Sequence, residues 1–523
     1  MGTIISSNSF NPANLQAPGL YIDNIPPTPY IPGAPTNVAA VVGTASWGPV
    51  NSPQIMSSPP DTLTYFGGIT SAALTDVHDL CTDATIAFQQ GFISVYGIRV
   101  TDSTDISASV VLAISGSTAT ALWSGTAGNS ISVVIQNSTF SGYMDVIISS
   151  TFAPSERYPR LPNTSAFWAA LKSALSAGIV GVAPPSNMVR TTITGGGTAI
   201  PVTGTYTLTG GTDGRTVTTD QLLGQNQTFP PTGVYTAATP SPTPEKVWIA
   251  GLTDTTAAAT LQAFCESAAM QTALAFPTGT STALALSTIS SVGVHSYELT
   301  YLKDWVYWND TVNGVIRLVP PLPFAMGLIT ALAPSQSPLN KAVNGVIGTE
   351  RNSPYTGNVP YSQGEIGQLE QAGVLVITNP IPQGSVFGYA TGNNTALNTA
   401  ETPIEYASMT NFLDQSFNGF MGTFVGQLQT ARPKDPLRRK VRHVLNNFLN
   451  TLADAGLIDE VVQITCTLAQ TGNPQLGINT PATIAQHYLY AFVAVRYLSS
   501  VRYFVLALQG GTTVVSSSPT QPA

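Results

Sequence analysis

The strongest constraint on this chain is a set of short, unbroken apolar runs separated by stretches with helical patterning. VAAVVGTA (38–45) and FISVYGIRV (92–100) lack polar alternation, so strands there must be buried on both faces. A helix is expected around 73–90, between them. The alternation returns further on. KVWIAGL (246–252) reads as a strand and TTAAATLQAFCESAA (255–269) as a helix with Asp254 at its N-cap. TALAFP (272–277) is a strand, 281–290 a short helix and YELTYLKDWVYW (297–308) another strand. This order predicts a sheet with parallel strands covered by helices.

At 523 residues the chain exceeds one simple core, and two to four domains of about 100–200 residues are expected. Residues 1–35 are rich in Pro and Asn and read as an extended arm with one strand, Leu20-Tyr21-Ile22. Residues 36–103 begin the core. Over 104–214 Ser, Thr and Gly dominate, and short strands recur around one helix (165–178). This predicts a β-rich insertion, a small sandwich or barrel. An α/β middle region follows over 215–350. Residues 351–486 carry two long helices. The first spans 404–430, with Met409, Phe412, Leu413, Phe417, Phe420, Phe424 and Leu428 spaced by three and four. The second has Asp435 at the N-cap, Pro436 at its first position and Gly456 as its stop. The last part, 487–523, holds two strand-like runs, YLYAFVAVRYL (488–498) and VRYFVLAL (501–508), then a polar tail.

Charged residues are only 9% of the chain, yet six of its 19 Lys and Arg residues lie between Arg432 and Arg442. Arg438, Arg439 and Lys440 fall in the first turn of a helix, where the macrodipole disfavours cations. A plain reading is a solvated helix start; the other is a docking surface for acidic groups. A net charge of −8 opposes general nucleic-acid binding.

No catalytic constellation emerges. GTSTA (279–283) resembles the serine-nucleophile segment of subtilisin-like proteases. None of His78, His295, His443 and His487 lies in the setting a catalytic base would need, so Ser281 is expected at a helix start. TGGGT (194–198) and LTGGTDG (208–214) lack the Lys-Ser/Thr of a phosphate loop and read as tight turns. Cys81, Cys265 and Cys466 have no metal-ligand spacing and read as buried thiols. Gly2 and Ser6 match a short myristoylation pattern that recurs by chance. The most apolar stretch, 488–508, is interrupted by Arg496 and Arg502. No cofactor, metal, membrane insertion or enzymatic activity is expected.

Five segments, in order, resemble the contractile-tail sheath proteins of bacteriophages and related injection particles. They are PGLYIDNIPPTPYIPGAPTNVAAVVGTASWGPVNSP (18–53), ATIAFQQGFISVYGIRV (84–100), GTAGNSISV (125–133), LTGGTDG (208–214) and VPPLPFAMGLITALAPSQSPLNKAVNGV (319–346). The chain departs from the family at GSVFGYATGNN (384–394), which lacks the family's Trp and Arg, and at Asp23-Asn24, where the family often has an acidic pair.

The resemblance implies a mixed α/β fold. Its discontinuous inner domain would come from the N- and C-terminal parts, with insertions facing outward. It also implies terminal arms that add strands to neighbouring subunits, here through Leu20, Tyr21 and Ile22 and through Val501, Tyr503, Val505 and Leu506. The alternative is that these strands pair within their own chain. Arg438, Arg439, Lys440 and Arg442 would face a tail tube. The implied partners are further copies in a helical array of stacked six-fold rings, the tube protein, and baseplate and terminator proteins. The implied setting is a virion tail assembled in the host bacterial cytoplasm. A tailocin or secretion-type machine fits as well. A subtilisin-like hydrolase and a surface-layer protein are the competing classes; the first lacks its base and the second a signal peptide.

Overall fold

Val38–Gly43 is buried along its whole length at the centre of a sheet in the computed structural model. That model describes residues 3–5, 21–23, 31–91, 93–113, 117–193, 200–469, 477–504 and 506. It divides the chain into two units, Met1–Gly33 with Ser416–Leu498, and Ala34–Gln415 with Ser499–Ala523.

In the larger unit Val38–Gly43 pairs in parallel with Lys246–Ile249 and with Ser94–Arg99, and Gln54–Met56 closes that edge antiparallel. A parallel bridge from Lys246 to Gln271 carries the ladder on to Thr272–Ala275, which pairs with Leu299–Leu302, which pairs with Val374–Leu375. Alternate side chains feed two cores. Ala39 and Val41 join Trp248 and Phe324 on one side; Ala40 and Val42 join Val247, Leu261 and Tyr301 on the other. Helices Leu80–Phe88 and Leu322–Ala331 contribute to the first core, Ala258–Ala268 and Thr282–Val292 to the second. This is the parallel, helix-covered sheet that the apolar runs predict.

Two boundaries differ from expectation. The helix expected over 73–90 is a single turn, Ser71–Leu74, then Leu80–Phe88, restarted where Asp79 accepts the Thr82 N–H. The strand expected over 297–308 is two strands. Asp304 adopts φ +66°, and Val306–Asp310 leaves the parallel sheet to pair antiparallel with Val315–Val319 and Val346–Thr349.

Among the described residues the insertion forms two open sheets and no barrel. One has the order Glu156–Pro162, Tyr143–Ser149, Ser132–Asn137, Gly204–Thr207; the other Val189–Ile193, Ser117–Ala121, Ser109–Ala113. Helix Phe167–Ala177 buries Phe167, Trp168 and Leu171 in a third core with them. LTGGTDG is a turn, with Gly210 and Gly214 at positive φ; TGGGT (194–198) lies outside the described residues.

In the smaller unit, helix Pro436–Asp454 buries Leu437, Val441, Val444, Leu445, Phe448 and Leu452 on one stripe. Its ends are as expected: Asp435 accepts the Arg438 N–H at 3.0 Å, and Gly456 takes φ +69°. The preceding helix is shorter than its apolar spacing suggests. It spans Ile404–Met421, tightens into one turn over Gly422–Phe424, and leaves Leu428 exposed. Three glycines at 419, 422 and 426 explain the stop, because glycine loses the most backbone freedom in a helix.

Candidate assembly surfaces

Three of the five sequence segments meet at one buried side chain. Arg99, fully buried, donates to Gly48 O at 2.8 Å, to Ser124 O at 2.7 Å and to Asp213 O at 3.1 Å. Asp213 in turn accepts the Thr126 N–H at 2.5 Å and Arg215 Nε at 2.8 Å. Asn129 and Gly211 exchange two hydrogen bonds, at 2.8 and 3.1 Å. A Cβ at position 211 would lie 2.3 Å from Gly125 O, so only glycine lets the two loops close. Arg215 continues the network to Asp76 at 3.0 Å and Asp79 at 2.9 Å. Burial opposes ionisation of Asp79 and outweighs the Arg215 charge, so its carboxyl sits above the usual range. This network clamps the insertion to the sheet.

The basic cluster divides in two. Arg438, expected on the tube-facing surface, is 2% exposed. Its guanidinium donates to Thr430 O at 2.9 Å and to Arg432 O, folding the preceding loop over the helix start. Arg438 precedes Val441 by three and Leu445 by seven, so it sits on the edge of the apolar stripe. Arg439, Lys440 and Arg442 are exposed, as are Arg432 and Lys434. The Lys440 ammonium lies 5.8 Å from the Phe424 ring centroid. The exposed face continues through His443, Asn446, Asn447 and Asn450, with no carboxylate before Asp454.

The smaller unit also carries two isolated strand pairs. Thr3–Ile5 pairs in parallel with Tyr21–Asp23, so the arm has two strands where one was expected; Leu20 lies outside the described residues. Glu460–Thr465 pairs antiparallel with Phe492–Arg496, a shorter strand than the run 488–498 suggests. Val462 sits at a bulge in this pair and is 54% exposed. Neither pair is joined to a third strand among the described residues. Glu460–Thr465 packs on helix Pro436–Asp454, and among the described residues each pair presents an open edge.

The run 501–508 is strand-like in composition, but Val501–Phe504 has no regular structure; Val505 lies outside the described residues. Val501, Tyr503 and Phe504 are 79, 85 and 84% exposed, and Leu506 is exposed too. Two polar contacts anchor this segment to the larger unit: Ser500 donates to Glu405 at 2.6 Å and Arg502 to Glu370 at 2.5 Å. Val501, Tyr503, Phe504 and Leu506 belong to none of the buried cores.

Ser281 Oγ accepts the Leu284 N–H at 3.2 Å and caps helix Thr282–Val292. His78 and His295 bond instead to the carbonyls of Ala250 and Thr395, and His443 to Asn447. All three cysteines are buried and free. Among the described residues, no group of His, Cys, Asp and Glu has metal-binding geometry and no helix is long and apolar enough to cross a membrane.

No protein-family model and no curated protein sequence matches this chain. Solved structures do. A sheath tail protein from Desulfitobacterium hafniense is 17% identical, with a TM-score of 0.56 over 86% of this chain and 93% of that one. A sheath tail protein from Listeria innocua is 14% identical, with a TM-score of 0.54 over 90% and 96%. The sheath of an extracellular contractile injection system, PVC, in its contracted state, is 10% identical, with a TM-score of 0.52 over 95% and 98%. The chain has the fold of these sheath proteins.

Proposed function

We propose that this chain, which has the sheath fold, is the structural subunit of a contractile sheath, in a phage tail or an injection particle. Copies polymerise helically, in stacked six-fold rings, around a tube. They then rearrange into a contracted lattice that drives the tube through a cell envelope. The observation that carries this reading is the near end-to-end likeness in fold to three sheath structures, covering 86 to 95% of the chain.

The smaller unit's open strand pairs and the exposed segment 501–504 support the way copies would link. A free edge accepts a strand from another chain through main-chain hydrogen bonds, whatever its side chains. Residues 20–22 and Val501, Tyr503, Val505 and Leu506 supply that strand in this reading. Arg439, Lys440 and Arg442 meet acidic groups on the tube. These are weak, salt-screened contacts, individually easy to break and collectively strong along a lattice. Tube, baseplate and terminator proteins are the further partners, and the particle forms in the bacterial cytoplasm.

The test of linkage is deletion. Protein lacking residues 1–23 is expected to stay folded and fail to form continuous tubes. Tubes as long and as stable as those of the whole chain refute strand exchange through this arm.

A further inference from the structure

The insertion carries an open cleft of about 760 Å³ that the sheath reading leaves without a role. Its walls are the loop after Ser132–Asn137, the strand Glu156–Pro162 and helix Phe167–Ala177. The size falls within the range of small-molecule sites, about 300–1,000 Å³. Its lining mixes apolar Leu161, Ala174 and Ile179 with polar and charged side chains.

The lining includes a buried carboxylate. Asp145, 2% exposed, accepts Arg157 Nη2 at 2.7 Å and the Arg160 N–H at 3.0 Å. Holding that N–H requires an irregular strand. The pairing with Tyr143–Ser149 slips between Tyr158 and Leu161, and Arg160 takes φ +58°. A non-glycine residue there is uncommon, and bulges of this kind re-aim a side chain. The re-aimed guanidinium lies 3.9 Å from the centroid of the Phe140 ring, and that ring is itself half exposed. Asp145 neutralises Arg157, whereas no carboxylate among the described residues pairs with Arg160. The cleft therefore carries one uncompensated positive charge beside an aromatic ring, with Ser138, Thr139 and Ser173 in the same lining.

We propose that this cleft binds a saccharide bearing a carboxylate. One surplus guanidinium matches one carboxylate; a phosphate dianion would call for a second free cation. A sugar ring has an apolar C–H face for Phe140 and hydroxyls for the exposed Thr139 and Ser173. The volume admits more than one sugar unit. The inference does not depend on the sheath reading, because a soluble subunit carries the whole cleft.

The test is calorimetric titration of the full-length protein with galacturonate and, as the uncharged counterpart, its methyl ester. The acid is expected to bind, and the ester about tenfold more weakly or worse, as for loss of one charged hydrogen bond. Arg160→Asn keeps a residue that tolerates left-handed backbone and is expected to lose about tenfold or more in affinity for the acid. Phe140→Ala is expected to weaken both probes. Arg190→Ala, elsewhere on the insertion, is expected to change nothing. Thermal melts confirm that each variant is folded. Failure of the acid to bind the wild type, equal binding of the ester, unchanged binding by folded Arg160→Asn, or an equal loss in Arg190→Ala each overturns the proposal.

Discussion

The Arg99 guanidinium donates to the main-chain carbonyl of Asp213, 114 residues along the chain, at 3.1 Å. The same side chain holds Gly48 and Ser124, so one cation closes the sheet, the insertion's entry and its exit. Arg99→Lys cannot span three carbonyls with one ammonium. Stranding buried acceptors costs about 1–3 kcal/mol each. A loss of about 2–4 kcal/mol is expected in chemical denaturation. A melt within error of wild type contradicts the clamp.

Arg438 and its exposed neighbours are expected to separate experimentally. Arg438→Ala removes a buried guanidinium that ties down Thr430 and Arg432, and is expected to cost about 2–3 kcal/mol of stability. Reversing Arg439, Lys440 and Arg442 to Glu is expected to leave the fold stable or slightly firmer, since acidic groups suit a helix N-terminus. That triple variant should lose co-sedimentation with tubes, and wild-type co-sedimentation should fall as salt rises. Undiminished tube binding by the triple variant removes these residues from the interface.

Ser281 reads as a cap and not as a nucleophile. Ser281→Ala should lower stability by about 1 kcal/mol, measured by thermal melting, with Ser281→Asp close to wild type. An unchanged melt for the alanine variant would show that the cap contributes nothing.

The start of helix Ile404–Met421 is docked through buried polar groups as well as apolar ones such as Ile404 and Met409. Gln271 donates to Ile404 O at 3.1 Å, Ser408 to Gln271 at 2.9 Å, and Asn411 to Glu298 at 2.7 Å. Burial raises the Glu298 carboxyl well above the usual range; Asn411 and Lys246 pull it down, and Glu245 and Glu266 push it up. The folded state thus holds a proton that the unfolded chain releases at ordinary acidic pH. This contribution to stability is whole below the unfolded pKa of about 4.3 and is lost as pH rises through the folded value. Glu298→Gln keeps the Asn411 contact without the proton. It is expected to be more stable than wild type at the alkaline end, with a flatter stability–pH curve. Parallel curves would place the proton elsewhere.

The parallel sheet was legible because its strands are apolar on both faces, as in VAAVVG and KVWI. Strand Glu156–Pro162 was not, because Pro159 and Pro162 argue against a strand. The helix ending at Met421 kept its apolar spacing past its true end, so periodicity alone ran through glycines that stop it. The burial of Arg438 follows from its position three before Val441 on the apolar stripe, a spacing that the density of charge around it masks. The Arg99 hub could be seen only as unconnected segments, since hydrogen bonds to distant carbonyls leave no pattern in local sequence. The cleft at Arg160 depends on a strand slip that no residue preference announces.

The central claim is self-assembly as a sheath, and electron microscopy of the purified full-length protein at high concentration and low salt tests it most directly. Long hollow helical tubes are predicted, with continuous contacts between stacked rings. Single chains that stay monodisperse, both alone and after addition of tube protein, contradict the account.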